Sequence, residues 1–74
     1  MTRKDYELIA SVFNERLTYL VECSQRPSAS EEYRQVRYDQ HCEVRFTAKK
    51  MALALAEQNP AFDRDRFLRA CGVA

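Results

Sequence analysis

Length, composition and charge place this sequence among small globular chains. It has 74 residues, of which 46% are hydrophobic and 31% are charged, so we expect one folded domain, residues 1–74, rather than a disordered segment. Its 12 Lys and Arg residues against 11 Asp and Glu residues leave a net charge of +1, which excludes a general electrostatic attraction to nucleic acid or to an anionic membrane.

The first predicted helix runs from about residue 3 to about residue 24. The Thr2 hydroxyl can cap an exposed backbone N–H at its start, and Asp5 is favoured by the positive end of the helix dipole. This amphipathic start is unlike a signal peptide, and no apolar run approaches the roughly 20 residues of a membrane span. Apolar residues recur at spacings of three and four, and we expect them to form one buried stripe: Tyr6, Ile9, Ala10, Phe13, Leu17, Leu20 and Val21.

The second predicted helix runs from about residue 29 to about residue 58, without an intervening glycine or proline. Ser28 and Glu31 are spaced as a capping box at its start. Because the linker around Pro27 is short, we expect this helix to run antiparallel to the first. Its predicted inward stripe, interrupted by Gln40, comprises Ala29, Tyr33, Val36, Val44, Ala48, Met51 and Leu55.

A third, short helix is predicted from about residue 64 to about residue 71. Asp63 is suited to cap its start, and Gly72 can end it in the left-handed conformation that glycine adopts at little cost. Phe62 should anchor the return of this helix over the end of the second helix. Its inner face is expected to hold Phe67, Leu68 and Cys71.

The predicted fold is all-α: an antiparallel helical hairpin, about 3–24 and about 29–58, plus a short C-terminal helix, about 64–71. Such a hairpin cannot bury every apolar residue of its two long helices. A further row on helix 1 comprises Leu8, Val12, Tyr19 and Cys23, and a further row on helix 2 comprises Cys42, Phe46 and Leu53. We expect helix 3 to cover only the end that holds Leu8, Val12 and Leu53.

The remaining residues of these rows form a candidate interaction face: Tyr19, Cys23, Cys42 and Phe46. We expect a second copy to cover this face, which would give a homodimer and a helical bundle, or a host protein to cover it. The alternative is a monomer on which these side chains stay partly exposed, as many apolar residues do on small proteins.

Basic residues of helix 2 are segregated to one side. The candidate nucleic-acid stripe comprises Arg34, Arg37, Arg45 and Lys49, with His41 in the same strip. Like charges four residues apart work slightly against the helix, so one interpretation is a phosphate-facing stripe with Tyr38 available for stacking. The alternative is a solvated face that pairs with the acidic residues of helix 1: Glu7, Glu15 and Glu22.

No combination of residues predicts a catalytic site, and we expect no enzyme activity, no cofactor and no small-molecule substrate. His41 is the only histidine, and it has no acid or nucleophile at a helical spacing that would aim two groups at one point. Phosphate-binding loops need glycines that the chain lacks. The carboxylate pair Asp39 and Glu43 has a spacing that is commonplace on exposed helices.

The three cysteines include no C-x-x-C pair, which argues against a secreted disulfide framework, and we expect reduced thiols in the cytoplasm. A zinc site is the alternative, and its ligands would be Cys23, His41, Cys42 and Cys71. It is disfavoured because the sequence neighbours His41 and Cys42 would point about 100° apart on a helix. We therefore expect no bound metal.

The two ends of the sequence carry specific motifs. The opening TRKDYELIA (Thr2–Ala10) and the closing NPAFDRDRFLRACG (Asn59–Gly72), with its pattern NP-x-F-D-R-x-R-F-L-x-A-C-G, resemble small uncharacterised proteins of bacteriophages, prophages and related mobile elements. In residues 11–58 we identify no resemblance to a known family. From the residues alone we interpret the ends as structural scaffold and the middle as the place for a partner-specific surface.

The resemblance implies an origin in a phage or mobile element and expression in the cytoplasm of a bacterial host, with no functional residues to carry over. We therefore expect a non-enzymatic interaction or accessory protein that modulates host regulation or defence. The alternative is a small nucleic-acid-binding regulator that uses the basic stripe of helix 2.

Overall fold

Three α-helices make up the secondary structure of the part of the chain that the structure describes. The computed structural model describes residues 2–73; the first and last residues of the predicted domain, Met1 and Ala74, lie outside the described residues. The helices are α1 (Arg3–Ser24), α2 (Glu31–Gln58) and α3 (Arg64–Cys71). No strand occurs between residues 2 and 73, which confirms the predicted all-α fold.

The two long helices form an antiparallel hairpin, and α3 packs against both of them. Ala10, near the start of α1, shares a buried cluster with Ala52, near the end of α2. At the opposite end, Cys23 of α1 neighbours Tyr33 of α2. The molecule is elongated, with principal extents of 45 × 18 × 15 Å. No helix within the described range is both long and apolar enough to span a bilayer.

The starts of α1 and α3 are capped as the sequence predicts. The Asp5 backbone N–H donates to the Thr2 hydroxyl oxygen over 3.4 Å, and the Thr2 N–H donates to the Asp5 carboxylate over 2.8 Å, which completes a capping box. The Arg66 N–H donates to Asp63 Oδ1 over 3.0 Å. Gly72 ends α3 with a φ of 83°, a left-handed conformation that glycine adopts readily.

The start of α2 differs from the prediction. The helix begins at Glu31, and its cap is Ser30, whose hydroxyl oxygen accepts from the Tyr33 N–H over 3.1 Å. The predicted Ser28 box does not form, because the chain makes a turn in which the Ala29 N–H donates to the Arg26 carbonyl over 3.0 Å. Ser28 and Ser30 both precede the helix, and the turn leaves Ser30 in the capping position.

The core beneath α3 is built from small residues of the long helices and large residues of α3. Its buried members are Ala10, Ala48, Ala52, Phe67 and Cys71. Alanines let the helix backbones approach closely, and the Phe67 ring fills the space between them. The Phe62 ring centroid lies 4.7 Å from that of Tyr6 and 5.4 Å from that of Phe67, which confirms Phe62 as the anchor of the return.

Three residues that the apolar stripes placed in the core are exposed: Val21, Val36 and Met51. On the first half of α2 the inward positions are taken instead by Arg37 and His41, which are half-buried. Because neighbouring residues point about 100° apart on a helix, an inward Arg37 turns Val36 toward solvent.

Candidate interaction face

One side of α1 presents a row of large apolar side chains to solvent. Leu8 is 67% exposed, Val12 is 59% exposed and Tyr19 is 44% exposed. Spacings of four and seven residues place all three within an arc of about 40° on a helix that turns by about 100° per residue. We refer to these three residues as the α1 outer row.

The third helix lies on the other side of α1. Arg3 and Ala10 line the groove between α1 and α3, and the Asn14 side chain lies beside Gly72 at the end of α3. These positions are about 140–180° around α1 from the middle of the outer row. The prediction that helix 3 covers the Leu8 end is therefore wrong, because α3 packs where Ala10 leaves room for its large side chains.

Phe46 and Leu53 are exposed on the outward side of α2. Phe46 is 58% exposed and Leu53 is 46% exposed. Phe46 lies two positions before the buried Ala48, so it points about 160° away from the core. The prediction that helix 3 covers Leu53 is wrong. Helix 3 packs on the side of α2 that holds Ala48 and Ala52.

Cys23 belongs to the interior and not to a surface. Its side chain is fully buried where the end of α1 meets the start of α2. Burial raises the pKa of the Cys23 thiol, but hydrogen bonds from Tyr19 and Tyr33 and the charges of Arg26 and Arg37 outweigh it, and the pKa is lowered overall. Cys23 is thus unavailable to a partner, which corrects the predicted face.

The other three members of the predicted face do not form one surface. Tyr19 lies on the α1 outer row, whereas Phe46 lies on the outward side of α2, and Cys42 is half-buried. The structure therefore replaces the predicted four-residue face with two separate apolar surfaces, of which the α1 outer row is the longer.

Apolar residues of α2 extend the α1 outer row sideways. Tyr33 neighbours Cys23, and Cys23 lies one turn after Tyr19 on α1. Tyr33 is therefore on the side of α2 that is next to the row. Met51 follows Tyr33 by 18 residues, which is five full turns, and therefore lies on that same side. Val36 is exposed about 60° further around α2. Together these side chains widen the apolar face.

The predicted nucleic-acid stripe is divided between the surface and the interior. Arg34 and Lys49 are exposed, whereas Arg37 and Arg45 are half-buried. Arg37 Nη1 donates to Gln40 Oε1 over 2.7 Å, and the guanidinium carbon lies 4.9 Å from the centroid of the Tyr33 ring. Half-burial therefore reduces the access of a phosphate to two of the four cations, and the guanidinium of Arg37 is already engaged within the chain.

Arg37 is held firmly as a cation at the α1–α2 junction. A hydrogen bond with Tyr33 raises the pKa of Arg37 and outweighs the opposing effect of burial. The Arg37 Nε atom is buried without a hydrogen-bond partner among residues 2–73. Sequence reasoning missed this junction, although Arg37 and His41 stand 11 and 7 residues before Ala48 and so continue its stripe.

Ion pairing does not join the two long helices. Arg3 and Glu7, both on α1, form the one ion pair found in the described part of the chain, with 3.1 Å between Nε and Oε1. The pairing that was predicted between the basic stripe and the acids of helix 1, Glu15 and Glu22 among them, is not observed. Those acids remain on the surface of α1.

A groove of about 620 Å³ separates α1 from α3. All of its lining residues come from the two segments that carry the resemblance: Arg3, Tyr6, Glu7, Ala10, Asn59, Ala61, Phe62, Asp63, Arg66, Phe67 and Ala70. The floor is aromatic, and Asp63 is engaged in capping α3. The two ends of the sequence thus pack against each other, as a structural role requires.

The cysteines belong to no metal-binding group in the region that the structure describes. Residues 2–73 contain no group of three or more His, Cys, Asp or Glu side chains that could hold a metal ion. Cys71 is fully buried in the core beneath α3, and burial raises the pKa of its thiol to about 11. Cys23 lies outside that cluster, so the predicted alternative of a shared zinc site has no geometric basis here.

Comparison of the chain with protein families, with curated proteins and with solved structures found no match. The resemblance of the two ends therefore stays a prediction from their motifs. The functional interpretation consequently depends on the geometry of the apolar face.

Proposed function

We propose that the protein is a non-enzymatic helical interaction protein whose α1 outer row binds an amphipathic helix of a protein partner. The supporting observation is the row itself, three large apolar side chains that are 44–67% exposed. Full burial of an exposed Leu or Val side chain contributes roughly 1.5–3 kcal/mol. Covering the row therefore supplies a driving force that the isolated chain leaves unused.

The shape of the row favours a helix as the partner. Leu8 and Tyr19 are 11 residues apart, so the row is a straight ridge about 16 Å long. A ridge of this kind fits between the side chains of a second helix, and exposed Val36 and Met51 beside it broaden the contact. A lipid surface fits the ridge less well than a protein helix does, because the acidic side chains Glu15 and Glu22 beside the ridge would contact the lipid.

We place this interaction in the cytoplasm of a bacterial host, as the act of a phage or mobile-element accessory protein that modulates host regulation or defence. The motifs Thr2–Ala10 and Asn59–Gly72 support the origin, and the widely spaced cysteines suit a reducing compartment. The nucleic-acid alternative has less support, because only Arg34 and Lys49 of the candidate stripe are exposed.

Site-specific photo-crosslinking in a bacterial host tests this proposal. A photoreactive benzoylphenylalanine replaces Glu15, which is exposed beside the outer row, and in a matched control it replaces Arg64, which is exposed at the start of α3. We expect a protein adduct of defined mass from position 15 and none from position 64. Equal yields at both positions, or no adduct at either, would contradict the proposal.

A further inference from the structure

We propose that the helix covering the α1 outer row is α1 of a second copy, laid antiparallel about a two-fold axis, an inference that rests on the proposed function. A two-fold axis makes an interface self-complementary, so the row must face itself. With the axis between positions 13 and 14, Leu8 of one copy faces Tyr19 of the other. Val12 of each copy then lies beside the axis, and the whole row is covered.

Lys4 and Glu22 supply charge complementarity for this register. They are 18 residues apart, which is five full turns, so they lie in line on one flank of the row. In the antiparallel pair, Lys4 of one copy stands within about 1.5 Å, measured along the helix axis, of the level of Glu22 of the other. Symmetry produces this pairing twice, and neither residue has an ion-pair partner in its own chain between residues 2 and 73.

Both charges are placed against the dipole of their own helix. Lys4 lies in the first turn of α1 and Glu22 lies in its last turn. A cation near the N-terminus of a helix and an anion near the C-terminus each weaken that helix. The stability of α1 therefore does not account for these two residues, whereas pairing between antiparallel copies does.

The charges also select the orientation of the pair. A parallel arrangement would place the flanks that carry Lys4 and Glu22 on opposite edges of the interface, so neither ion pair could form. Glu15 weakens the antiparallel pair, because it lies close to the middle of the row, level with Val12 of the other copy and only about 4.5 Å along the helix axis from its own counterpart. Neutralising Glu15 should therefore tighten the dimer, which is the opposite of what removing a partner-binding residue does.

The same pairing brings parts of the two α2 helices together. Val36 and Met51 lie beside the outer row and are exposed, so the α2 helices of the two copies close over the flank of the α1 pair. Because α3 lies on the opposite side of α1, both α3 helices stay on the outside. The assembly is then a four-helix bundle of two hairpins.

Charge exchange measured by sedimentation equilibrium tests the register. We expect the wild type to dimerise, K4E and E22K each to weaken the dimer by about tenfold, and K4E/E22K to restore it to within about twofold. An equimolar mixture of the two single variants should form a heterodimer, since both pairs become attractive in it. E15Q should tighten the dimer by a few fold.

The two substitutions leave α1 intact, because Glu at position 4 and Lys at position 22 suit the helix dipole, and circular dichroism verifies this. A K4E/E22K dimer as weak as the single variants would overturn the antiparallel register. A monomeric wild type with a foreign adduct at position 15 would overturn self-association and leave the proposed function standing. The absence of any adduct removes the proposed function as well.

Discussion

The two ends of the α1–α2 hairpin are joined by different chemistry. Beneath α3 the long helices meet through fully buried alanines, and the Phe67 ring closes the space above them. At the loop end the helices meet through buried Cys23 and the half-buried pair Tyr33 and Arg37. The α3 end is therefore apolar throughout, whereas the loop end combines the fully buried Leu20 with a junction of polar groups.

This contrast indicates which end of the hairpin supplies more of the free energy of unfolding. Apolar burial and close packing favour the folded state directly. At the polar junction, hydrogen bonds and cation–π contacts largely offset the cost of removing the Arg37 guanidinium and its neighbours from water. We expect the α3 end to carry the larger share of the free energy of unfolding, and the polar groups of the loop end to add little to what the buried Leu20 contributes there.

Removing the Phe67 ring should have the largest effect. Phe67→Ala takes away the side chain that joins α3 to both long helices, and we expect the free energy of unfolding to fall by about 3–5 kcal/mol. Urea unfolding followed by circular dichroism measures the change. The matched control is Phe46→Ala, which removes an exposed ring and should cost less than about 1 kcal/mol. Equal losses in both variants would show that the apolar end is not the main source of stability.

Enlarging a buried alanine should have the next largest effect. Ala52 is fully buried where α2 meets α1 and α3, so Ala52→Leu forces the helices apart and should lower the free energy of unfolding by about 1–3 kcal/mol. Ala54, two residues later, is exposed, and Ala54→Leu should change it by less than about 0.5 kcal/mol. Thermal melting of the two variants provides the comparison. If Ala52→Leu melted with the wild type, the close approach of the helices would be in doubt.

Much of the apolar end could be predicted from the sequence. Its caps, its glycine stop and the inward Phe67 follow from local residue chemistry that acts within one or two turns. The side of α1 on which α3 lies could not be predicted, because Leu8 and Ala10 point to opposite sides and both sides are apolar. The choice depends on the small volume of Ala10 against the Phe67 ring, which is a packing effect that periodicity does not contain.

The polar junction and the interaction face were harder to predict for a related reason. An apolar pattern assigns Val36 inward and Arg37 outward, yet the stripe that contains Ala48 continues through His41 to Arg37. Likewise Tyr19 and Cys23 belong to one sequence row, but contacts with Tyr33 enclose only Cys23. Interhelical contacts decide which members of a row remain exposed, and no local spacing reports them.

Replacing Arg37 should change the free energy of unfolding only slightly, unlike the replacement of Phe67 or Ala52 at the other end. Arg37→Met keeps the length of the side chain and removes a guanidinium whose Nε is buried without a hydrogen-bond partner. We expect the free energy of unfolding to rise by up to about 1 kcal/mol. Arg34→Met, at an exposed position one turn earlier, is the control and should leave it unchanged. A loss of more than about 2 kcal/mol on Arg37→Met would mean that the junction contributes as much as a buried apolar contact.

The smallest expected effect is an opposite pH response of the two buried thiols, one at each end of the hairpin. The pKa of Cys71 is raised to about 11, so its protonated thiol stabilises the fold below the ordinary thiol pKa, and this contribution is lost as the pH rises toward 11. The pKa of Cys23 is lowered, so its thiolate stabilises the fold above the ordinary thiol pKa, and this contribution is lost as the pH falls.

Between neutral pH and about pH 10, Cys71→Ala should therefore make the free energy of unfolding decline less steeply than in the wild type, and Cys23→Ala should make it decline more steeply. Urea unfolding of the three proteins at both pH values gives the slopes, in which the titration of groups that do not interact with either thiol cancels. Slopes that change in the same direction in both variants would show that the two ends do not differ in how they hold a buried thiol.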